Sequence, residues 1–187
     1  MATVELTTTE TRLITGAELE KMSNPGPCEL VEGRIVPMSP TSYTHGEVET
    51  NFAAVLHAFV RTHNLGRVQS GEVGIYTQRN PDTIRGTDVL FISNERFSQQ
   101  KSPGFLEVAP DLIVEVLSPS NSWSEITQKL REYFAIGVRL VWIADPETRS
   151  IFAHRALTDM REFTETDHLP GDDVLPGFSV LVATLFD

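Results

Sequence analysis

The chain has 187 residues, of which 40% are hydrophobic and 22% are charged. A chain of this length buries roughly 70% of the surface that its unfolded form exposes, and this composition excludes disordered and fibrous proteins. The 15 Lys and Arg against 26 Asp and Glu give a net charge of -11, which argues against a protein that coats nucleic acid without specificity. We therefore predict one globular domain over residues 1–187.

Cysteine content and hydropathy indicate the compartment. Cys28 is the one cysteine of the sequence, which excludes an internal disulfide and a metal cage of thiolates. Residues 1–12 lack the apolar core of a signal peptide, and no later window approaches the roughly 18 apolar residues that span a bilayer. A cytoplasmic protein without membrane contact is the expectation.

The first predicted elements are helical, with a hairpin between them. Residues 1–25 are interpreted as an N-terminal extension with one short helix, which Thr15 and Glu18 begin as a capping box. Residues 29–38 (ELVEGRIVPM) predict a β-hairpin. Apolar residues then recur at helical spacing over residues 44–64, which predicts a long amphipathic helix.

Four β-like segments follow, at residues 68–73, 74–78, 87–92 and 112–117, with a turn at Asn80-Pro81-Asp82. The fourth segment, LIVEVL, is an almost unbroken apolar run, which is typical of a strand buried on both faces.

A second amphipathic helix is predicted over residues 123–137, where Gly137 ends it. The remaining predictions are a buried strand at 138–144, strands at 150–155 and 161–166, and a turn with a short apolar helix over 176–187. Helices that flank a mixed sheet make the fold α/β or α+β, with the central order helix, three strands, helix, strand.

Two carboxylates violate the hydrophobic pattern of this sheet. Glu115 interrupts the apolar run, and Asp88 shares a face with apolar residues of the preceding strand. If these two strands pair antiparallel, the start of one lies beside the end of the other and the carboxylates meet. Two carboxylates suit a hard cation, so the pattern predicts a Mg²⁺ site, with Mn²⁺ as an alternative, and phosphoryl-transfer chemistry. The alternatives are that Glu115 reaches water at a strand edge and that Asp88 is a turn residue after Gly86.

Lys129 flanks the apolar stripe of the second long helix, from which its side chain can reach the sheet. An ammonium there can orient a water or stabilise developing negative charge. The alternative is a surface pair with Glu125, one helical turn away.

Three polar residues are weaker candidates. His45, with Glu49 one turn later, lies near the start of the first long helix and is a candidate substrate or metal contact; the alternative is a capping or buried structural histidine. Ser118 follows the buried strand and is a candidate contact along a phosphate path, although serines before a helix are commonly caps.

The sequence resembles the Uma-type endonuclease family, a former domain of unknown function within the PD-(D/E)XK nuclease superfamily. The segments that carry the resemblance are ELVEGRIVPMSP, His45 at the start of the first long helix, RGTDVLFIS, PDLIVEVLSPSN, KLREYFAIGVRLVWIADP and GDDVLPGFSV. The resemblance implies a restriction-endonuclease-like αβββαβ core, which agrees with the order of elements predicted above.

The resemblance also implies roles for individual residues. Asp88 matches the family's motif aspartate, Glu115 its second acidic residue, and Lys129 a lysine that has migrated to the helix from the position that Leu117 holds. The proline that usually precedes the motif aspartate is Thr87 here. Lys129 and Tyr133 also resemble a helix motif of related exonucleases, in which a polar residue precedes a tyrosine by four positions.

These observations predict a magnesium-dependent endonuclease that acts on nucleic acid, with DNA as the expected substrate. The predicted catalytic residues are Asp88, Glu115 and Lys129; the metal ligands are Asp88, Glu115 and the main-chain carbonyl of Val116; and the substrate contacts are His45, Ser118 and Tyr133. A homodimer is expected because many nucleases of this superfamily pair two sites. The alternative is a non-catalytic member that keeps the fold to bind a partner or to regulate DNA transactions. A basic patch around Asp88 and Glu115 would favour the nuclease, and an acidic mouth that binds no metal would favour the alternative.

Overall fold

The computed structural model describes residues 12–119 and 121–187. The helices are α1 (Gly16–Glu20), α2 (Tyr43–Thr62), α3 (Asn94–Phe97) and α4 (Trp123–Ile136). The strands are β1 (Cys28–Val31), β2 (Arg34–Pro37), β3 (Gly66–Gln78), β4 (Thr83–Ser93), β5 (Leu112–Val116), β6 (Leu140–Asp145), β7 (Ser150–Ala156), β8 (Asp159–Phe163), β9 (His168–Pro170) and β10 (Ser179–Leu181). A 3₁₀ turn at Val182–Leu185 follows β10.

An eight-stranded sheet organises the molecule, in the order β2-β1-β4-β5-β6-β7-β8, with β3 paired along the other edge of β4. β5 and β6 run parallel, and the other neighbouring strands of this sheet run antiparallel. The central order α2, β3, β4, β5, α4, β6 confirms the predicted αβββαβ core and the mixed sheet flanked by helices. The four β-like segments between the long helices form three strands, because the first two both belong to β3.

The two long helices cover opposite faces of the sheet. The apolar stripe of α2, including Phe52 and Leu56, packs with Val89 and Phe91 of β4. The stripe of α4 packs with Leu90 and its neighbours on the other face. Alternate residues of β4 therefore serve two cores, because successive side chains of a strand point to opposite faces. Both predicted helices are confirmed.

The β3 strand corrects one prediction. Residues 68–73 and 74–78 are not two strands but parts of β3, which is continuous through a bulge between Ser70 and Val73. Gly71 and Glu72 have φ values of 87° and 58° there, so the local sequence looks like a turn while the pairing with β4 continues on both sides. The following strand also begins earlier than predicted, at Thr83.

The ends of the helices follow from local chemistry. The capping box of Thr15 and Glu18 at α1 is confirmed, and Ser122 with Glu125 forms another at α4. Gly137 ends α4 with a φ of 97°, a conformation that glycine adopts without steric cost. Of the predicted N-terminal extension, residues 1–11 lie outside the described residues.

The C-terminal region differs from the prediction in detail. The strand expected at 161–166 is β8, two residues earlier, and the segment 176–187 contains β10 before its short helical turn. No helix among the described residues is long and apolar enough to cross a membrane.

Candidate active site

The site forms where β4 changes its neighbour. Leu30 of β1 pairs with Ile84, and Val114 of β5 pairs with Val89, so residues 85–88 of β4 face the junction between β1 and β5. At this junction, side-chain carboxylates accept hydrogen bonds from backbone N–H groups of the strands. Oε1 of Glu29 accepts the N–H of Gly86 at 3.1 Å.

Asp88 is buried at the same junction. Its Oδ2 accepts the backbone N–H of Val116 at 2.6 Å and lies 3.3 Å from Nε2 of His45. Continuing the register of β4 and β5 by one residue places Asp88 opposite Glu115. The predicted meeting of the two carboxylates therefore follows from the antiparallel pairing, and the interpretation of Asp88 as a turn residue is wrong, because it lies within β4.

Glu115 is buried and engages two donors from α4. Nζ of Lys129 donates to its Oε2 at 2.7 Å, and the hydroxyl of Tyr133 donates to its Oε1 at 2.6 Å. The alternative in which Glu115 reaches water at a strand edge is therefore wrong. The surface pair of Lys129 with Glu125 is also wrong, since Glu125 accepts from Ser122 at the helix cap.

Burial and charge shift the pKa values of this pair. Burial raises the pKa of Glu115 to about 7, and the like charge of Asp88 adds to the increase, although Lys129 and Tyr133 oppose it. Burial alone would lower the pKa of Lys129, but the carboxylates of Glu115 and Glu29 outweigh it and raise that pKa above its ordinary value. Lys129 therefore stays protonated while it contacts Glu115.

A second ion-pair network, formed by Arg85, Glu132 and Glu29, contacts Lys129 through Glu29. Nε and Nη2 of Arg85 each donate to Glu132 at 2.7 Å, and Nη1 donates to Glu29 at 2.8 Å. Glu29 also lies 3.5 Å from Nζ of Lys129. Sequence reasoning missed Glu29 and Glu132, because the first lies in a hairpin and the second on a helix face where glutamate is ordinary. The signal that could have found Glu29 is its place in the family segment ELVEGRIVPMSP.

A third group of polar residues reaches Asp88 from α2. Ligand atoms of His45, Glu49 and Asp88 all lie within 4.8 Å of one another. Partial burial raises the pKa of Glu49, and the charge of Asp88 contributes. Glu49 also accepts the N–H of Gly71 at 2.9 Å, which ties the β3 bulge to the site. The bulge residue Glu72 has a raised pKa, caused first by removal from water and then by Asp88.

Two predicted substrate contacts take different positions. Tyr133 is fully buried, so the hydrogen bond to Glu115 takes the place of the predicted contact with substrate. Ser118 lies outside the acidic cluster, where its N–H and hydroxyl donate to Oδ1 of Asn121 at 2.8 and 3.0 Å. It lines a groove that His45 also borders.

The charges around Asp88 are mainly negative. Five carboxylates lie around it or interact with Lys129, those of Glu29, Glu49, Glu72, Asp88 and Glu115, and Glu132 joins them through Arg85. The cations that contact them are Lys129 and Arg85, and both are paired with carboxylates. This arrangement can hold a cation, and it presents no basic patch within the described part of the chain.

The chain has a family match that covers most of its described residues. The chain belongs to the Uma2 family, whose model, described as "Putative restriction endonuclease", matches residues 17–184. This confirms the predicted family and supports a nuclease role.

A solved structure shares the fold. The chain is similar, with a TM-score of 0.77 and 20% identity, to a "putative nuclease belonging to DUF820" from Anabaena variabilis ATCC 29413, over 92% of this chain and 97% of that one. No curated protein matches the sequence significantly.

Proposed function

We propose that this protein is a divalent-cation-dependent endonuclease that hydrolyses phosphodiester bonds of nucleic acid, with DNA as substrate. The observation that carries the proposal is the buried group of Asp88, Glu115 and Lys129 at the junction of β1, β4 and β5, in a member of a nuclease family. Burial of two opposed carboxylates is unfavourable unless a cation or a proton compensates them.

The donor atoms fit Mg²⁺, with Mn²⁺ as the alternative. Carboxylate oxygens are the ligands that both ions prefer, and an imidazole suits Mn²⁺ better than Mg²⁺. Asp88 belongs to two overlapping donor sets. One is the predicted set with Glu115 and the carbonyl of Val116, and the other joins Asp88 to His45 and Glu49, where Nδ1 of His45 is buried without a hydrogen-bond partner among the described residues.

The chain's own residues would position the reaction. A bound cation supplies Lewis acidity toward a phosphoryl oxygen and makes a water more acidic. The N–H of Val116 orients Asp88, and the hydroxyl of Tyr133 orients Glu115. Lys129 keeps its proton and has donors beyond the one given to Glu115, which would orient the attacking water or stabilise charge on the phosphate.

The cleavage assay that tests this proposal uses double-stranded DNA, single-stranded DNA and RNA, with Mg²⁺ or Mn²⁺. We expect cleavage by the wild type and loss of cleavage in Glu115→Gln. Glu162→Gln, which removes one exposed carboxylate of β8, is the matched control and should cleave normally. Absence of cleavage of any substrate, together with absence of cation binding, would exclude the enzyme.

The negative charge around Asp88 favours a second candidate function, a non-catalytic nuclease fold that binds a partner. In that case Lys129 and Arg85 are structural cations and the carboxylates repel phosphates. Cation titration separates the two functions, because only the nuclease requires a site that binds Mg²⁺ or Mn²⁺ at Asp88.

The wider properties of the protein rest on the superfamily and on composition. We propose a single domain, a cytoplasmic location and a homodimer that pairs two sites. Sedimentation equilibrium would test the dimer, and a monomer at micromolar concentration would contradict it.

A further inference from the structure

A groove of about 620 Å³ lies beside the acidic cluster. It opens at the carboxyl ends of the parallel strands β5 and β6, between the first turns of α2 and α4. Crevices outside the carboxyl ends of parallel strands are common ligand sites in open sheets.

Trp123 forms one wall of the groove. It is the first residue of α4, and 65% of its surface is exposed, whereas Trp142 is fully buried. Its ring contacts Phe152 edge to face, with centroids 6.3 Å apart. Ile126 and Leu117 add apolar surface to the lining. An exposed indole beside apolar neighbours offers a flat ring a place to stack.

The polar lining of the groove does not suit a phosphate. Asp145, which ends β6, and Glu147 line it, and none of the described lining residues is a lysine or an arginine. Oδ1 of Asp145 accepts the N–H of Glu147 at 2.9 Å, which holds the turn that carries both carboxylates. Carboxylates repel phosphate, but they accept hydrogen bonds from the amino groups of nucleobases.

His45 lies between the groove and the acidic cluster. This residue lines the groove, and its Nε2 lies 3.3 Å from Oδ2 of Asp88. If the phosphate of a nucleotide lies at Asp88, the base of that nucleotide or of the next one would lie near the groove, on the other side of His45. A stacking surface is accessible only to a base that has left its duplex partner.

We propose that this groove binds an unpaired nucleobase next to the scissile phosphate, stacked on Trp123, with Asp145 and Glu147 accepting from its amino group. The proposal rests on the proposed function for the position of the phosphate. It adds a substrate class: single-stranded, frayed or flipped nucleotides bind in preference to an intact duplex.

Nucleosides test the groove separately from catalysis, because they contain no phosphate to cleave. The chain has two tryptophans, so Trp123→Phe assigns both indole N–H signals in a ¹H–¹⁵N spectrum. Titration of the cation-free wild type with cytidine should shift the Trp123 signal to saturation and leave Trp142 unmoved. Inorganic phosphate should shift neither. No shift with cytidine up to its solubility limit, or a shift with phosphate, would overturn the proposal.

The two carboxylates are tested by base identity. Cytidine and adenosine, which have exocyclic amines, should bind more tightly than uridine, and this preference should weaken in Glu147→Ala, which removes one acceptor. Equal binding of uridine and cytidine by the wild type would overturn the assignment of these carboxylates.

Oligonucleotides test the substrate class. In a Glu115→Gln background with Mg²⁺, Trp123→Ala should weaken binding of a single strand about tenfold, as expected for one lost stacking contact, and change duplex binding less. Tyr43→Ala is the matched control, since Tyr43 is also an exposed aromatic residue in the first turn of a long helix but does not line this groove. Equal effects of the two substitutions would contradict the proposal. If nucleosides bind and no substrate is cleaved, nucleobase binding in the groove is supported and the proposed nuclease activity is contradicted.

Discussion

Glu115 is a buried carboxylate whose two hydrogen-bond donors do not fully offset the cost of burying its negative charge. Its oxygens accept from Lys129 and Tyr133, yet burial still raises its pKa to about 7. The folded protein therefore favours the protonated carboxyl relative to the unfolded chain. This preference makes the residue a source of pH-dependent stability.

The cation-free protein should lose stability as the pH rises through this pKa. The contribution of Glu115 is complete below its unfolded pKa and is lost as the pH rises through about 7. Glu115→Gln has no such ionisation, so its free energy of unfolding should fall less than that of the wild type between about pH 5 and about pH 8, although Lys129 loses one of its two carboxylate partners. Urea unfolding at both pH values measures the difference.

Glu162→Gln is the control for this pH dependence, because it removes an exposed carboxylate. Its stability should follow that of the wild type at both pH values. If Glu115→Gln also follows the wild type, or is much less stable at neutral pH, Glu115 is the anionic half of a stabilising ion pair with Lys129.

Substitution of Lys129 distinguishes an effect on catalysis from an effect on cation binding. Lys129→Ala removes an ammonium that contacts Glu115 but no donor atom for a cation. Turnover should fall about 100-fold or more, as for loss of one preorganised electrostatic contact, while Mg²⁺ should still raise the melting temperature. A cleavage assay and thermal melts measure the two effects.

Lys101→Ala is the matched control, since Lys101 is an exposed lysine in a loop. It should leave both turnover and the Mg²⁺-induced shift unchanged. Wild-type turnover in Lys129→Ala would show that this lysine only compensates buried charge.

At the scale of elements, α4 presents Lys129 and Tyr133 to β5, and its C-terminal end depends on one glycine. Gly137 and Gly46 both have open space where the Cβ of a larger residue would lie, but Gly137 has a φ of 97° whereas Gly46 lies within α2. A comparison of alanine substitutions at the two glycines therefore measures the effect of backbone conformation without a change in packing.

Substitution of these glycines by alanine should have opposite effects. Gly137→Ala should lower the free energy of unfolding by about 1 kcal/mol, because alanine adopts the left-handed conformation at a steric cost. Gly46→Ala should raise it by about 0.5–1 kcal/mol, because alanine is the better helix former. Urea denaturation of the two variants gives both values, and a change of the same sign in both would contradict the conformational argument.

At the scale of the whole molecule, the excess of carboxylates should couple cation binding to folding. Negative charges from β1, α2, β3, β4 and β5 lie near one another around Asp88, and repulsion among them is relieved when a cation binds the folded state. At a concentration about 100-fold above the dissociation constant, a cation adds about 2.7 kcal/mol to stability.

Thermal melts with Mg²⁺ and Mn²⁺ should therefore shift upward in the wild type and not in Asp88→Asn. Glu49→Gln and Glu115→Gln then show which donor set is used, since each removes one charge from only one set. Asp172→Asn, in an exposed turn, is the control and should shift as the wild type does. Equal shifts in the wild type and Asp88→Asn would exclude a cation site at Asp88.

The sequence by itself determined the features that depend on local periodicity. The apolar stripes of α2 and α4, the capping box of α1 and the buried run of β5 all follow from the spacing of residues within one element. The alternation of faces along two strands also determined that Asp88 and Glu115 could meet, once antiparallel pairing was assumed.

Only the tertiary structure decided which distant residues complete the site. The sequence of β3 predicts two strands, because Gly71 and Glu72 interrupt the β-like pattern. The strand is continuous because its pairing with β4 continues on both sides of this bulge. The choice between Glu125 and Glu115 as the partner of Lys129 depended on how α4 lies across the sheet. Glu29 reaches the site because β1 joins β4 where β5 ends its pairing. Periodicity records which face of an element is buried, but the partners that meet on that face are set by long-range packing, which no local pattern encodes.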